Sequence, residues 1–129
     1  MSGAPRSPFT YAILRAVPRV ERGERINVGV VLYCRAADFL GIRIAVDEAK
    51  LAAIAPEVDP ATLVAPLEAI ASVAAGDPDA GPIAALPAGE RFGWIAAPAS
   101  TVIQPSEIHT GLCGDPTAAL EELFAEIVC

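Results

Sequence analysis

The chain has 129 residues, 53% of them hydrophobic, and a net charge of −7. That length suits one ordinary core and is short for two, so a single domain spanning residues 1–129 is expected. Ala supplies much of the apolar content and no run approaches the roughly 18–20 apolar residues of a spanning helix, so no membrane association is expected, while the acid excess argues against broad nucleic-acid binding.

In chain order, residues 1–8 read as a frayed start. Arg6 is followed by no apolar stretch of signal-peptide length before Pro18, which points to a cytoplasmic protein. From Phe9 to Val17 the residues alternate, with Phe9, Tyr11 and Ile13 on one face and Thr10, Ala12 and Leu14 on the other, the period of a half-buried strand. Pro18 ends it, and Arg19 to Arg25 reads as an exposed connection. A second strand is expected over 26–33, with Gly29 in its middle marking a bulge or a close backbone approach. A third, over 39–46, follows a link too short for a parallel crossover, so the three form an antiparallel meander.

Asp47 reads as the cap of a short helix reaching about Ile54. Asp59-Pro60 opens another, with Leu63, Leu67, Ile70 and Ala74 at helical spacing and Gly76 as the stop. Pro66 falls inside that pattern and predicts a kink or a later start. Residues 76–89, rich in Gly, Pro and Asp, read as a flexible loop. Strands are then expected over 91–95 and 100–104, and a polar, turn-prone stretch over 105–114. Asp115-Pro116 opens a last helix with Leu120, Leu123, Phe124 and Ile127 on one face. The whole reads as an α+β fold, a mostly antiparallel sheet with two to three helices packed on one face.

Costly polar residues gather in two blocks. The first runs from Arg15 through Arg19, Glu21, Arg22, Glu24, Arg25 and Asn27 to Gly29. Guanidinium donors, carboxylates and an amide around a turn are the chemistry that grips phosphate or carboxylate, although a solvated charged hairpin explains them equally well. The second runs from Arg91 through Trp94 to Ser100, Thr101, Gln104, Ser106, Glu107 and His109, and contains the single Trp and the single His. Ser106 and His109 lie near each other, yet no Gly-x-Ser-x-Gly elbow supports a catalytic triad. For His109 alone, a partly buried imidazole holding a turn is the plainer reading, and for Phe92 and Trp94 it is packing against the core or the sheet. No metal site is expected, since Glu107 and His109 supply at most two ligands. Phosphate loops and dinucleotide fingerprints are absent and no cofactor is expected.

Charge is unevenly spread. Residues 1–43 hold seven arginines against three acids, a balance of +4, whereas residues 44–129 hold Lys50 and Arg91 against thirteen, a balance of −11. An electropositive face is therefore one reading and pairing of the arginines with distal acids the other. Cys34, Cys113 and Cys129 are odd in number and far apart, which suits reduced thiols better than a disulfide framework.

The stretch Tyr11-Ala-Ile-Leu-Arg15-Ala-Val-Pro-Arg19-Val-Glu21-Arg22-Gly-Glu24-Arg25-Ile-Asn27-Val-Gly29-Val, with Arg91-Phe-Gly-Trp94, Ser100-Thr101-Val-Ile-Gln104-Pro and His109-Thr-Gly111-Leu, resembles the bacterial family catalogued as domain of unknown function 3037. The resemblance runs from about Tyr11 to Val128. It implies a compact bacterial protein of one domain and carries no assigned activity. It also implies a protein partner, a kinase-fold protein of the persistence-toxin type encoded nearby. The matched positions Arg15, Glu21, Glu24, Asn27, Arg91, Trp94, Ser100, Gln104 and His109 become site candidates. Gly93 departs from the longer side chain expected there, which puts the packing beside Trp94 in question.

Two functions follow as expectations. One is a non-catalytic binding or regulatory module, acting on a protein partner or small anionic ligand through Arg15, Glu21, Arg22, Asn27, Arg91, Trp94, Ser100, Thr101 and Gln104. The alternative is an enzyme on a phosphate-containing or nucleotide substrate, with Arg15, Arg22 and Arg91 holding the anion and Glu24 or His109 as acid or base. Sequence-independent nucleic-acid binding through the basic first third is a weaker third.

Overall fold

The computed structural model describes residues 5–19, 21–99 and 101–128. Five strands form one antiparallel sheet: β1 (Ser7–Ala16), β2 (Ile26–Cys34), β3 (Phe39–Ile44), β4 (Ile103–Pro105) and β5 (His109–Cys113). The order across it is β3-β2-β1, and β4 and β5 lie end to end along the remaining edge of β1. The α+β class and the early meander stand as the sequence implies. Pairing also reaches Ser7 and Pro8, which face Cys113 and Leu112, within the segment read as frayed.

Alternation on β1 divides the core in two. Ala12, Leu14 and Ala16 face one layer with Val28 and Val31, and Phe9 and Tyr11 face the other with Val30, Leu32 and Cys34. The first layer is closed by α1 (Glu48–Ile54), α2 (Ala61–Ala75) and α3 (Ala88–Ile95), which insert Leu51, Leu63, Leu67, Phe92 and Ile95. Of these, α1 and α2 are helices that the sequence implies, and α3 is an addition to them. A fourth, α4 (Pro116–Ile127), covers the other layer over β2 and β3 with Leu120 and Phe124. Asp47 and Asp115 cap α1 and α4 through their carboxylates. Asp59 accepts from Ala61 N at 3.0 Å, and α2 starts there rather than after Pro66, which sits inside it. Gly76 ends α2 in the left-handed region at φ 72°, a conformation glycine adopts without penalty.

Gly29 fulfils both meanings of a strand glycine. The β1–β2 register slips beside it, between Leu14 and Arg15. A Cβ at Gly29 would stand 2.9 Å from the Arg43 carbonyl oxygen and 3.1 Å from an Ile44 methyl.

Three expectations are corrected in the second half. Residues 91–95 are helical, in α3, and not a strand. The signal was the spacing of Phe92 and Ile95, one turn apart and both buried, which outweighs the two-residue spacing of Phe92 and Trp94. The strand expected over 100–104 is shorter and later, at 103–105, and the stretch read as turn-prone contains β5. Both strands borrow their stability from β1, a long-range pairing that local propensity does not report. Within 76–89, two 3₁₀ turns, Pro78–Ala80 and Pro82–Ala85, lead directly into α3.

Candidate functional site

β1 brings the two polar blocks together. Arg15 pairs with Asn27 on β2 and with Gln104 on β4, so these three share a row across the sheet. Because Leu14 and Ala16 turn into the three-helix layer, Arg15 projects from the opposite face. Asn27 confirms that side by donating from Nδ2 to the Ile127 carbonyl of α4 at 3.3 Å. Four residues back along β1, Tyr11 pairs with His109, and their rings stack with centroids 5.2 Å apart. Since α4 sits over β2 and β3, the β1, β4 and β5 side of this face stays partly open. Arg15, Gln104 and His109 are each half-buried there.

The Arg15 guanidinium makes no hydrogen bond or ion pair among the described residues. Gln104 is steered by donation from Nε2 to the Thr101 carbonyl at 3.0 Å, and the Thr101 hydroxyl in turn donates to the Ile103 carbonyl. His109 Nε2 lies 3.3 Å from an oxygen of Glu107. The Glu107 carboxyl is held below its ordinary range by its own backbone N–H first; desolvation opposes that pull, and the charges of His109, Arg15 and Arg25 add lesser downward ones. This is an open polar surface with unspent donors around one guanidinium, suited to gripping an anionic group.

Ser106 does structural duty at this face. It is 5% exposed, its hydroxyl accepts from Ile13 N at 2.8 Å and donates to the Glu107 carbonyl at 2.8 Å, and its own N–H donates to Ile13 O. It thus completes the β1 ladder across the break between β4 and β5. Its proton is given to the Glu107 carbonyl and not to His109, so the hydrogen bond that a Ser-His nucleophile needs is not made. Gly111 is equally structural, because the Phe9 ring lies over it, 2.6 Å from where a Cβ would stand. Ser106 was visible only as a neighbour of His109. Its bridging role depends on β4 and β5 sharing one edge, which nothing local announces.

The remaining candidates lie elsewhere. Glu24 is paired with Arg22 at 2.8 Å in the β1–β2 connection, and the carboxylate beside His109 is Glu107 instead. Glu21 is exposed in the same connection. Arg91, on α3 in the three-helix layer, donates to the Leu86 carbonyl at 2.6 Å, and its guanidinium lies against Gly76 at the end of α2. A cation at a helix C-terminus is favourable there, which makes Arg91 a clamp between α2 and α3. Its buried Nε has no partner among the described residues. Trp94 is 50% exposed, against the expectation of core packing, whereas Phe92 is buried and stacks on Tyr33. On a helix the two residues point in nearly opposite directions, while a strand would have aligned them. A Cβ at Gly93 would meet nothing within 4 Å, so that departure leaves the packing intact. Ser100 lies outside the described residues.

Of the seven early arginines, Arg19 and Arg43 pair with the distal acids Glu57 and Glu121 and Arg22 with its neighbour Glu24, while the charges of Arg15 and Arg25 are felt at Glu107. Cys34 and Cys113 are free and buried. Burial, then the neighbouring Cys34, pushes the Cys113 thiol up, as befits packing groups rather than nucleophiles. Cys129 lies outside the described residues. Among the described residues no group of three His, Cys, Asp or Glu is placed to hold a metal ion, and no helix is long and apolar enough to cross a membrane.

A family model described as a protein of unknown function, DUF3037, matches residues 11–128. The chain belongs to the DUF3037 family. No curated protein and no solved structure matches it. The matched span takes in β1 from Tyr11 onward and all of β5, so both halves of the polar sheet face belong to the DUF3037 unit.

Proposed function

We propose that this DUF3037 protein is a non-catalytic binding module whose open sheet face takes a carboxylate or phosphate group presented by a protein partner. The observation that carries the reading is Arg15: a half-buried guanidinium, flanked by the amides of Asn27 and Gln104, with no ion partner among the described residues. Tyr11, stacked on His109, extends the same face with a residue type that anchors protein interfaces. The larger clefts are lined by other residues, which favours a group presented on a partner surface over an engulfed small molecule. A catalytic role is less supported, because Glu24 is tied to Arg22 and the Ser106 hydroxyl is committed to the backbone. The partner is the kinase-fold protein that the resemblance implies.

The test is affinity measurement against that protein. Arg15→Ala is expected to weaken binding by about 100-fold, the loss typical of truncating one partner of a buried charged contact, whereas Arg22→Ala, outside the face, leaves it unchanged. Equal binding by wild type and Arg15→Ala contradicts the reading.

A further inference from the structure

A second surface lies across the sheet from Arg15. There α2, the end of α3 and β4 enclose an apolar cleft of about 480 Å³ walled by Pro66, Ile70, Ile95, Pro98 and Ile103. Trp94 lines this cleft and also an adjoining one of about 420 Å³, with Ile70 common to both. The adjoining cleft carries Asp77 and Asp79, and Glu90, four residues before Trp94, shares its face of α3. None of these three carboxylates is in an ion pair among the described residues. The one cation on α3, Arg91, is turned to the Leu86 carbonyl.

An apolar trough, a half-exposed indole and a row of unpaired carboxylates define what fits. An acidic or purely apolar occupant would leave the carboxylates facing it unanswered. A cation placed over the indole face is attracted by the ring quadrupole, most strongly for Trp, and here it would also meet Asp77 and Asp79. We propose that this cleft docks a basic, apolar segment of a partner protein: an aliphatic or aromatic side chain seats between Pro66, Ile70 and Ile103, and a neighbouring Arg or Lys lies over Trp94 toward the two aspartates. The site uses no residue of the anion-binding face and stands independently of it.

Selection from a displayed random-peptide library on the full chain tests this. Enriched peptides should carry Arg or Lys within three residues of Leu, Ile or Phe. The strongest peptide should shift the fluorescence of Trp94, the single tryptophan. The double variant Asp77→Asn with Asp79→Asn removes both charges while the amide at 77 can still accept from the backbone N–H of residue 79, a bond of 2.9 Å in this structure. It should weaken binding at least tenfold, as should Trp94→Ala read by peptide anisotropy, while Arg15→Ala leaves it unchanged. Failure to enrich any peptide, enrichment of peptides without basic residues, or undiminished binding by the aspartate double variant would overturn the proposal.

Discussion

Ser106→Ala is expected to lower the unfolding free energy by about 2 kcal/mol, the cost of a buried backbone donor left without a partner. The donor is Ile13 N, which β4 and β5 both fail to reach because the strands end on either side of it. Removing the hydroxyl leaves that N–H facing a methyl group in a site that is 5% exposed. The same hydroxyl holds the Glu107 carbonyl, so its loss also slackens the turn that sets Glu107 against His109. Urea denaturation measures the first effect, and the His109 ring resonances, freed from their stacking on Tyr11, report the second. A variant as stable as the wild type would show that Ser106 does not bridge the ladder.

Gly29→Ala sets two effects against each other. Alanine restricts the unfolded chain and favours a strand, a gain of about 0.5–1 kcal/mol where the backbone permits it. Against that, its Cβ stands 2.9 Å from a main-chain oxygen of β3, held in place by the strand ladder, and 3.3 Å from Leu14. Overpacking against fixed backbone costs about 1–3 kcal/mol. The clash wins, giving a net loss of about 1–2 kcal/mol, and Gly29→Val loses more because its extra methyls meet the same wall. Thermal unfolding of the two variants should fall in that order below the wild type; a stabilised Gly29→Ala protein would contradict the close approach of β2 and β3.

The legibility of this fold follows the range of the interactions that build it. β1 announces itself through alternation ended by Pro18, β2 through a Val-rich run, and α4 through an Asp cap and a stripe of Leu and Phe. Gly29 was readable because a glycine in a Val-rich strand has few other uses. The misreadings fall where tertiary pairing decides. Residues 91–95 offer both a strand-like and a helix-like spacing of apolar groups, and α3 wins because it buries Phe92 and Ile95 against the sheet. β5 contains His109 and Gly111, neither a strong strand former, and it exists because β1 supplies a free edge.

The site divides in the same way. Both blocks were visible as concentrations of costly residues, and Arg15, Asn27, Gln104 and His109 do meet on one face. What the sequence could not display is the register that selects them: Arg15 opposite Asn27 and Gln104, Tyr11 opposite His109. Arg22 and Glu24 belong to the same block by composition, but they satisfy each other. Arg91 and Trp94 belong to the second block yet lie across the sheet, one as a clamp and the other as the wall of a cleft.

The central claim is that one sheet face, organised around Arg15, receives an anionic group. Titration of the isotope-labelled protein with inorganic pyrophosphate, followed by nuclear magnetic resonance, tests it most directly. The account predicts that the Arg15 side-chain N–H, the Asn27 and Gln104 side-chain amides and the His109 ring shift together with one dissociation constant, and that Arg15→Ala abolishes those shifts. Resonances that stay still at these four residues, or an identical titration in the variant, would contradict it.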